Sequence, residues 1–171
     1  MQDLNRMLFL LTMGAVLLFS CKKEVVETQV YDNVIYEIDT QRLYSSSAEK
    51  IKQKTQTQYI SIMYSDLFSQ NVSSNELSEL SELSLAIGDK TMANELTLSH
   101  YLNSSNVQKP SDAEMRGDLD VFIEITYLRF YQRRPTPYEL LFLKGVINDD
   151  PQLTVVDIYT AFILSNEYYY Y

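Results

Sequence analysis

Few side chains in this protein have the type and spacing that chemistry demands. His100 is the only histidine and Cys21 the only cysteine among 171 residues, so no His/Cys/carboxylate set with zinc spacing exists. There is no Asp-x-Asp-x-Asp-Gly calcium loop and no Gly-rich run to cradle a phosphate. Asn148-Asp149-Asp150, with nearby backbone carbonyls, has the donors for a hard cation, but an acidic turn between helices is usually just solvated. An enzyme would have to work with Asp, Glu and Ser alone. The expectation is a non-enzymatic protein with no cofactor and no metal.

Two clusters rise above this background. Arg129, Arg133 and Arg134 gather at the end of a helical stretch in an otherwise acidic chain. The structural reading is that they complement a helix dipole. The functional reading is a contact for an acidic partner, a lipid headgroup or a glycan phosphate, to which Arg pairs in bidentate fashion. The second cluster is Tyr168 to Tyr171, whose rings suit an interface or a stacked sugar. Tyr168 is expected in the core, with Tyr170 and Tyr171 exposed and available to a partner.

The elements that position these residues follow from composition. Charged residues make up 22% and hydrophobic ones 46%, a globular balance with enough chain for a core. The net charge of −9 gives no electrostatic help in binding a polyphosphate, so nucleic acid is not expected as a partner. Four Gly, four Pro and no Trp beside 14 Tyr leave few helix breakers, and an all-α fold is expected.

The N-terminus reads as an export signal. Arg6 precedes the apolar run Met7 to Phe19, which is short of the ~20 residues that span a bilayer. Leu18-Phe19-Ser20-Cys21 resembles the bacterial lipoprotein lipobox, with Phe19 where a small or β-branched residue is usual. The resemblance implies cleavage before Cys21 and acylation of its thiol and new amine, so that several chains anchor the protein stably. The other reading is an unmodified Cys behind a transmembrane anchor. Lys22 rather than Asp after Cys21 fits sorting to the outer membrane of the cell envelope. Residues 1–20 are therefore expected to be a signal peptide, and 21–46 a lipidated tether. Val26, Thr28, Val30, Val34, Tyr36 and Ile38 alternate around Asp32-Asn33, a weak hairpin signal within an extended stalk.

From Ala48 the period turns helical. Ser46 with Glu49 has capping-box spacing and predicts a first helix over Ala48–Gln70, with Ile60, Met63, Tyr64, Leu67 and Phe68 inward. Ser73 with Glu76 opens a second, with Val72 and Leu77 as a staple and Gly88 as its C-terminal stop. A third covers Lys90–Asn103 with Met92, Leu96, Tyr101 and Leu102 inward. Ser111 with Glu114 opens a fourth that runs to Gln132, Thr136 with Glu139 and Pro137 a fifth, and Thr154 with Asp157 a sixth. In the sixth, Val155, Ile158, Phe162 and Ile163 point inward. Asp118 and Asp120 read as helix-surface charges.

A single shift of 63 residues pairs Tyr59 with Phe122, Ile60 with Ile123, Tyr64 with Tyr127, Phe68 with Tyr131, Ser73 with Thr136 and Glu76 with Glu139. So many like pairs predict an internal duplication: a six-helix bundle of two three-helix units, 47–107 and 108–171, about a pseudo-two-fold axis. His100 then aligns with Phe162 or Ile163, a packing or rim position. Phe122-Ile123, Tyr127, Arg134-Pro135-Thr136, Glu139-Leu140 and Ser165-Asn166-Glu167-Tyr168 resemble the helical repeat of unknown function in bacterial extracellular proteins, itself distantly similar to phycobilisome linker domains. Arg133 stands where that family usually has Gly. The resemblance implies an α-helical scaffold for assembly or attachment and no catalytic residues. The expected function is a lipid-anchored, non-enzymatic interaction or scaffold subunit with an envelope protein as partner. Alternatives are a surface glycan-binding lipoprotein using the tail tyrosines and a hydrolase without a recognisable signature.

Overall fold

Capping chemistry decides where each helix begins. In the computed structural model, which describes residues 43–171, α1 is Gln56–Phe68, α2 Ser74–Ile87, α3 Lys90–Leu102, α4 Asp112–Gly117, α5 Leu119–Tyr131, α6 Pro137–Asp149 and α7 Val155–Ile163. Short 3-10 turns occupy Ser47–Glu49 and Glu167–Tyr169. The described residues belong to the second of two units, Met1–Glu37 and Ile38–Tyr171. The expected export signal, Cys21 and the alternating residues 26–38 lie outside the described residues. Among those described there are no strands, and the fold is an all-α bundle.

Local signals predict most helix starts. Ser111, Thr136 and Thr154 each close a full capping box with the residue three positions on. Ser73 accepts the Glu76 N–H at 3.2 Å, and Val72 is buried ahead of it. Gly88 stops α2 in the left-handed conformation, φ 74°, where a Cβ would be strained.

Three expectations are corrected. The first helix starts at Gln56, capped by Thr55 and Gln58, and not at Ala48. The Ser46–Glu49 pair makes only a single 3-10 turn, because residues 50–54 lie alongside the C-terminus. Lys52 N–H donates to Tyr171 O at 3.1 Å, Tyr171 N–H donates to Lys52 O at 2.9 Å, and Lys54 N–H donates to Tyr169 O at 2.8 Å. A helix there would forgo these bonds. The helix expected over 111–132 breaks at Asp118, whose side chain accepts the Val121 N–H at 3.1 Å and caps α5. Met92 and Leu96 are both 53% exposed, because α3 buries the stripe Ala93, Asn94, Thr97, Leu98, Tyr101 and Leu102. Size is a poorer guide to the inward face than periodicity here.

The core is aromatic. Tyr59, Tyr101, Tyr159 and Tyr168 are all but fully buried, which obliges each hydroxyl to find a partner. Tyr59 donates to Ile163 O at 2.7 Å, Tyr168 to the Asp66 carboxylate at 2.6 Å, and Tyr159 accepts from Arg129 at 3.2 Å. The Tyr101 hydroxyl makes no well-formed hydrogen bond, with the Glu76 carboxylate as its polar neighbour. Two ring triads recur: Tyr64, Phe68 and Tyr101 in the first half, and Tyr127, Tyr131 and Phe162 in the second. Helices α1 and α5 both run 13 residues and end in a left-handed residue, Ser69 (φ 54°) and Gln132 (φ 52°).

The tail therefore carries unequal loads. Tyr168→Ala should lower stability by about 3–5 kcal/mol, the range for emptying a buried aromatic site. Removing Tyr170 and Tyr171 breaks the two Lys52 backbone bonds, each worth about 0.5–1.5 kcal/mol, and should leave the bundle folded. Urea unfolding followed by circular dichroism checks both.

Candidate functional site

The densest polar chemistry lies where the turn after α5, the start of α6 and the last turn of the chain meet. Gln132 leaves the helix in the left-handed conformation, which turns Arg133 back into the protein, 3% exposed. Its guanidinium donates to both Glu139 oxygens at 2.9 and 2.7 Å and to both Glu167 oxygens at 2.7 and 2.8 Å. The same guanidinium sits 5.0 Å from the Tyr127 ring centre and 5.6 Å from that of Tyr131. Its hydrogen bonds to these two carboxylates hold Arg133 charged. Glu139 also accepts the Thr136 N–H at 2.7 Å, so one carboxylate caps α6 and pairs with Arg133. The Arg133 hydrogen bonds are the main reason its carboxyl is pulled down to about 2. Lys50 joins through Glu167 at 3.4 Å and lies 5.2 Å from the Tyr131 ring centre. Burial lowers its amine against the pull of Glu167.

A second buried charge group adjoins it. The Asp66 carboxylate accepts from the Tyr168 hydroxyl, while Lys54 donates to the Tyr168 carbonyl and lies 3.9 Å from the Tyr168 ring centre. Burial pushes the Asp66 carboxyl up to about 7 against the Tyr168 hydrogen bond and Lys54. Burial likewise lowers Lys54 to about 8, opposed by Asp66. Such shifts are often found at reactive sites. Here both groups are bonded to Tyr168, itself fully buried, and the pair serves to clamp the chain's end to α1.

The three arginines read as one cluster separate in space. Arg133 is enclosed and unavailable to a partner, because two carboxylates compete for it from within the chain. Arg129 is half-buried and donates to the Asp66 backbone oxygen at 2.5 Å. Arg134 alone is exposed, paired with Glu124 at 2.8 Å, a surface pair of small energetic weight. Tyr170 is 37% exposed, whereas Tyr171 is half-buried and hydrogen-bonded to Lys52. His100 sits exposed on a rim. Asp120 is an exposed helix charge paired with Lys144 at 2.7 Å. At Asn148-Asp149-Asp150 the backbone is already served by a cation: Arg116 donates to the carbonyls of Ile147, Asp150 and Leu153 at 2.8, 3.0 and 2.8 Å.

Sequence reasoning missed Lys50, Lys54, Asp66 and Glu167 as a group. Their partners lie at the far end of the chain, beyond the reach of any periodicity. Among the surface features open to other molecules, two stand out. One is a cleft of about 200 Å³ beside Tyr101, lined also by Tyr64, Phe68, Gln70, Glu76 and Asn106. The other is the outer face of α6, where Tyr138, Leu141 and Phe142 are 76%, 70% and 60% exposed.

Removing one partner of a buried charge group strands the others, so Arg133→Met should lose about 3–5 kcal/mol in chemical denaturation. Two opposite pH dependences follow. The raised Asp66 carboxyl contributes stability that is full below its usual 3.8 and lost as pH rises through about 7. The depressed Glu139 carboxyl contributes stability that is full above 4.5 and lost as pH falls through about 2. Asp66→Asn, which can still accept from Tyr168, should flatten stability between pH 4 and 7 and leave the acid limb unchanged. A series of denaturation curves against pH measures this.

Against family models, curated proteins and solved structures, no match to this chain is found.

Proposed function

We propose that this protein is a lipid-anchored cell-envelope component that acts as a non-enzymatic interaction or scaffold subunit. The observation that carries the reading is the outer face of α6. Its core side contributes one fully buried residue, Ile147, with Leu140 and Leu143 half-buried. Its opposite side presents Tyr138, Leu141, Phe142 and Val146 at i, i+3, i+4 and i+8. A helix apolar on both sides needs cover on both, and the bundle supplies only one. Tyr138 and Phe142 stack with ring centres 6.3 Å apart, a ready-made aromatic anchor of the type enriched at protein interfaces.

Lipidation at Cys21 supplies the other half of the mechanism. The lipobox-like residues 18–21 support an acyl anchor that concentrates the α6 face at an outer-membrane surface. Modest contacts then gain from effective concentration. We further infer that the chain arose by duplication of a three-helix unit akin to the bacterial extracellular repeat. Equal helix bounds at a 63-residue offset and the paired ring triads support it. Among the described residues no helix is long and apolar enough to cross a membrane.

Affinity purification from the protein's own cells, read by mass spectrometry, tests the reading. A stoichiometric envelope partner should co-purify with the unaltered chain. It should be lost with a Tyr138→Glu, Phe142→Glu variant whose far-ultraviolet circular dichroism is unchanged. Cys21→Ala should move the protein out of the membrane fraction. Recovery of the bare protein in every case refutes the scaffold role, and membrane retention of Cys21→Ala refutes the acyl anchor.

A further inference from the structure

The two halves of the bundle differ at one telling position. Arg133 follows α5; 63 residues earlier, the position after α1 is Gln70. Around Arg133 stand Tyr127 and Tyr131, both in ring contact with Phe162 at 5.0 and 4.7 Å. Their first-half counterparts Tyr64 and Phe68 are both in ring contact with Tyr101, at 5.4 and 5.5 Å. Glu139, at the third position of α6, corresponds to Glu76 at the third position of α2. In the register that matches Tyr101 to Phe162, the counterpart of Glu167 is Asn106. Gln70, Glu76, Asn106 and the three rings all line the cleft of about 200 Å³. The second half thus builds a socket for a guanidinium and fills it with Arg133, while the first half keeps three rings and one of the two carboxylates, with Asn106 in place of Glu167, Gln70 in place of Arg133 and the Tyr64 and Phe68 rings closer together at 4.5 Å.

We propose that the first-half cleft binds a guanidinium group, the side chain of an arginine presented by another protein. Two further observations point to such a ligand. In α1, α4, α6 and α7 the side chain at the third helical position returns to the N-cap backbone N–H. At α2 only the Ser73 half of that exchange is made, and Glu76 lines the cleft instead. None of the ion pairs among the described residues involves Glu76. The Tyr101 hydroxyl, 2% exposed, makes no well-formed hydrogen bond and has the Glu76 carboxylate as its polar neighbour. A guanidinium carries five N–H donors in a planar fork and no acceptor. It can donate to Glu76 and to the Tyr101 oxygen while its plane rests against the rings, as Arg133 does between Tyr127 and Tyr131. The chain's net charge of −9 favours the approach of a cation. The choice of ligand rests on the correspondence between the halves and is independent of the lipid anchor and of the α6 face.

His100, the only histidine, lines the same cleft, and its ring protons give an isolated reporter in proton NMR of the full chain. The probes are N-acetylarginine amide and its neutral isostere N-acetylcitrulline amide. The arginine compound should shift the His100 signals saturably, and the citrulline compound should bind at least tenfold more weakly. Glu76→Gln, with unchanged circular dichroism, should weaken the arginine compound at least tenfold. Gln70→Arg supplies a guanidinium in cis and should abolish its binding and raise the thermal midpoint. Equal binding of citrulline, or undiminished arginine binding in either variant, overturns the proposal. An arginine-centred hexapeptide should bind more tightly than the blocked amino acid. Equal affinity would assign the cleft to a free guanidinium compound and overturn the protein-borne source.

Discussion

The bundle depends on a single guanidinium. Arg133 makes four charge-assisted hydrogen bonds to Glu139 and Glu167, so the end of α5, the start of α6 and the final turn are held by one planar group. Charges buried this deeply are tolerated only when all their hydrogen-bonding capacity is met. Arg133 meets it with two carboxylates, one more carbonyl from Arg134, and two aromatic faces. Because Glu139 is also the cap of α6, the rotation of that helix about its first turn is coupled to the position of the arginine. The outward orientation of Tyr138, Leu141 and Phe142 follows from that coupling: a helix pinned by its third residue has little freedom to roll its apolar outer side inward.

The charges around Tyr168 extend the same logic in a less balanced form. Asp66, Lys54 and Lys50 are drawn together by the segment 44–54, which lies along the turn after α5 and along the tail. Tyr44 N–H donates to Gln132 O at 2.9 Å, so this segment reaches both sites. At the first site hydrogen bonds keep Arg133 and Glu139 charged, whereas burial at Asp66 and Lys54 brings acid and base toward neutrality. One site is a salt bridge in the ordinary sense. The other links an acid and a base through Tyr168, and the interior resists the ionisation of both.

What could be read from the sequence is what is local. Capping boxes at Ser111, Thr136 and Thr154 and the stop at Gly88 are written within four residues of the backbone groups they satisfy, and they appear where expected. The inward stripes of α1 and α7 were legible for the same reason, since their large apolar residues recur at helical spacing. On α3 the buried stripe includes Ala93, Asn94 and Thr97, so attention to large side chains selected Met92 and Leu96 from the wrong face. The candidate site was harder. Asp66 meets Tyr168 across 102 residues and Lys54 reaches the same tyrosine across 114, separations no window can span. Arg133 was visible as a cation closing a helix. That it would be enclosed could not be read, because Glu139 already had a local role and Glu167 none.

The pairing of residues 52–54 with the last three residues also governs the order in which the chain can fold. The entry to α1 is completed by Tyr168, which fills the space beside Tyr59 at 5.4 Å and in edge-on contact. A contact of such sequence separation forms only after the intervening loop has been closed at an entropic cost. During synthesis from the N-terminus, α1 emerges early, yet the ring contacts of Tyr59 with Tyr168 and Tyr169 cannot form until those residues are made. Closure of the core around Tyr59 therefore waits for residues more than a hundred positions further on, such as Ile163, whose carbonyl accepts the Tyr59 hydroxyl.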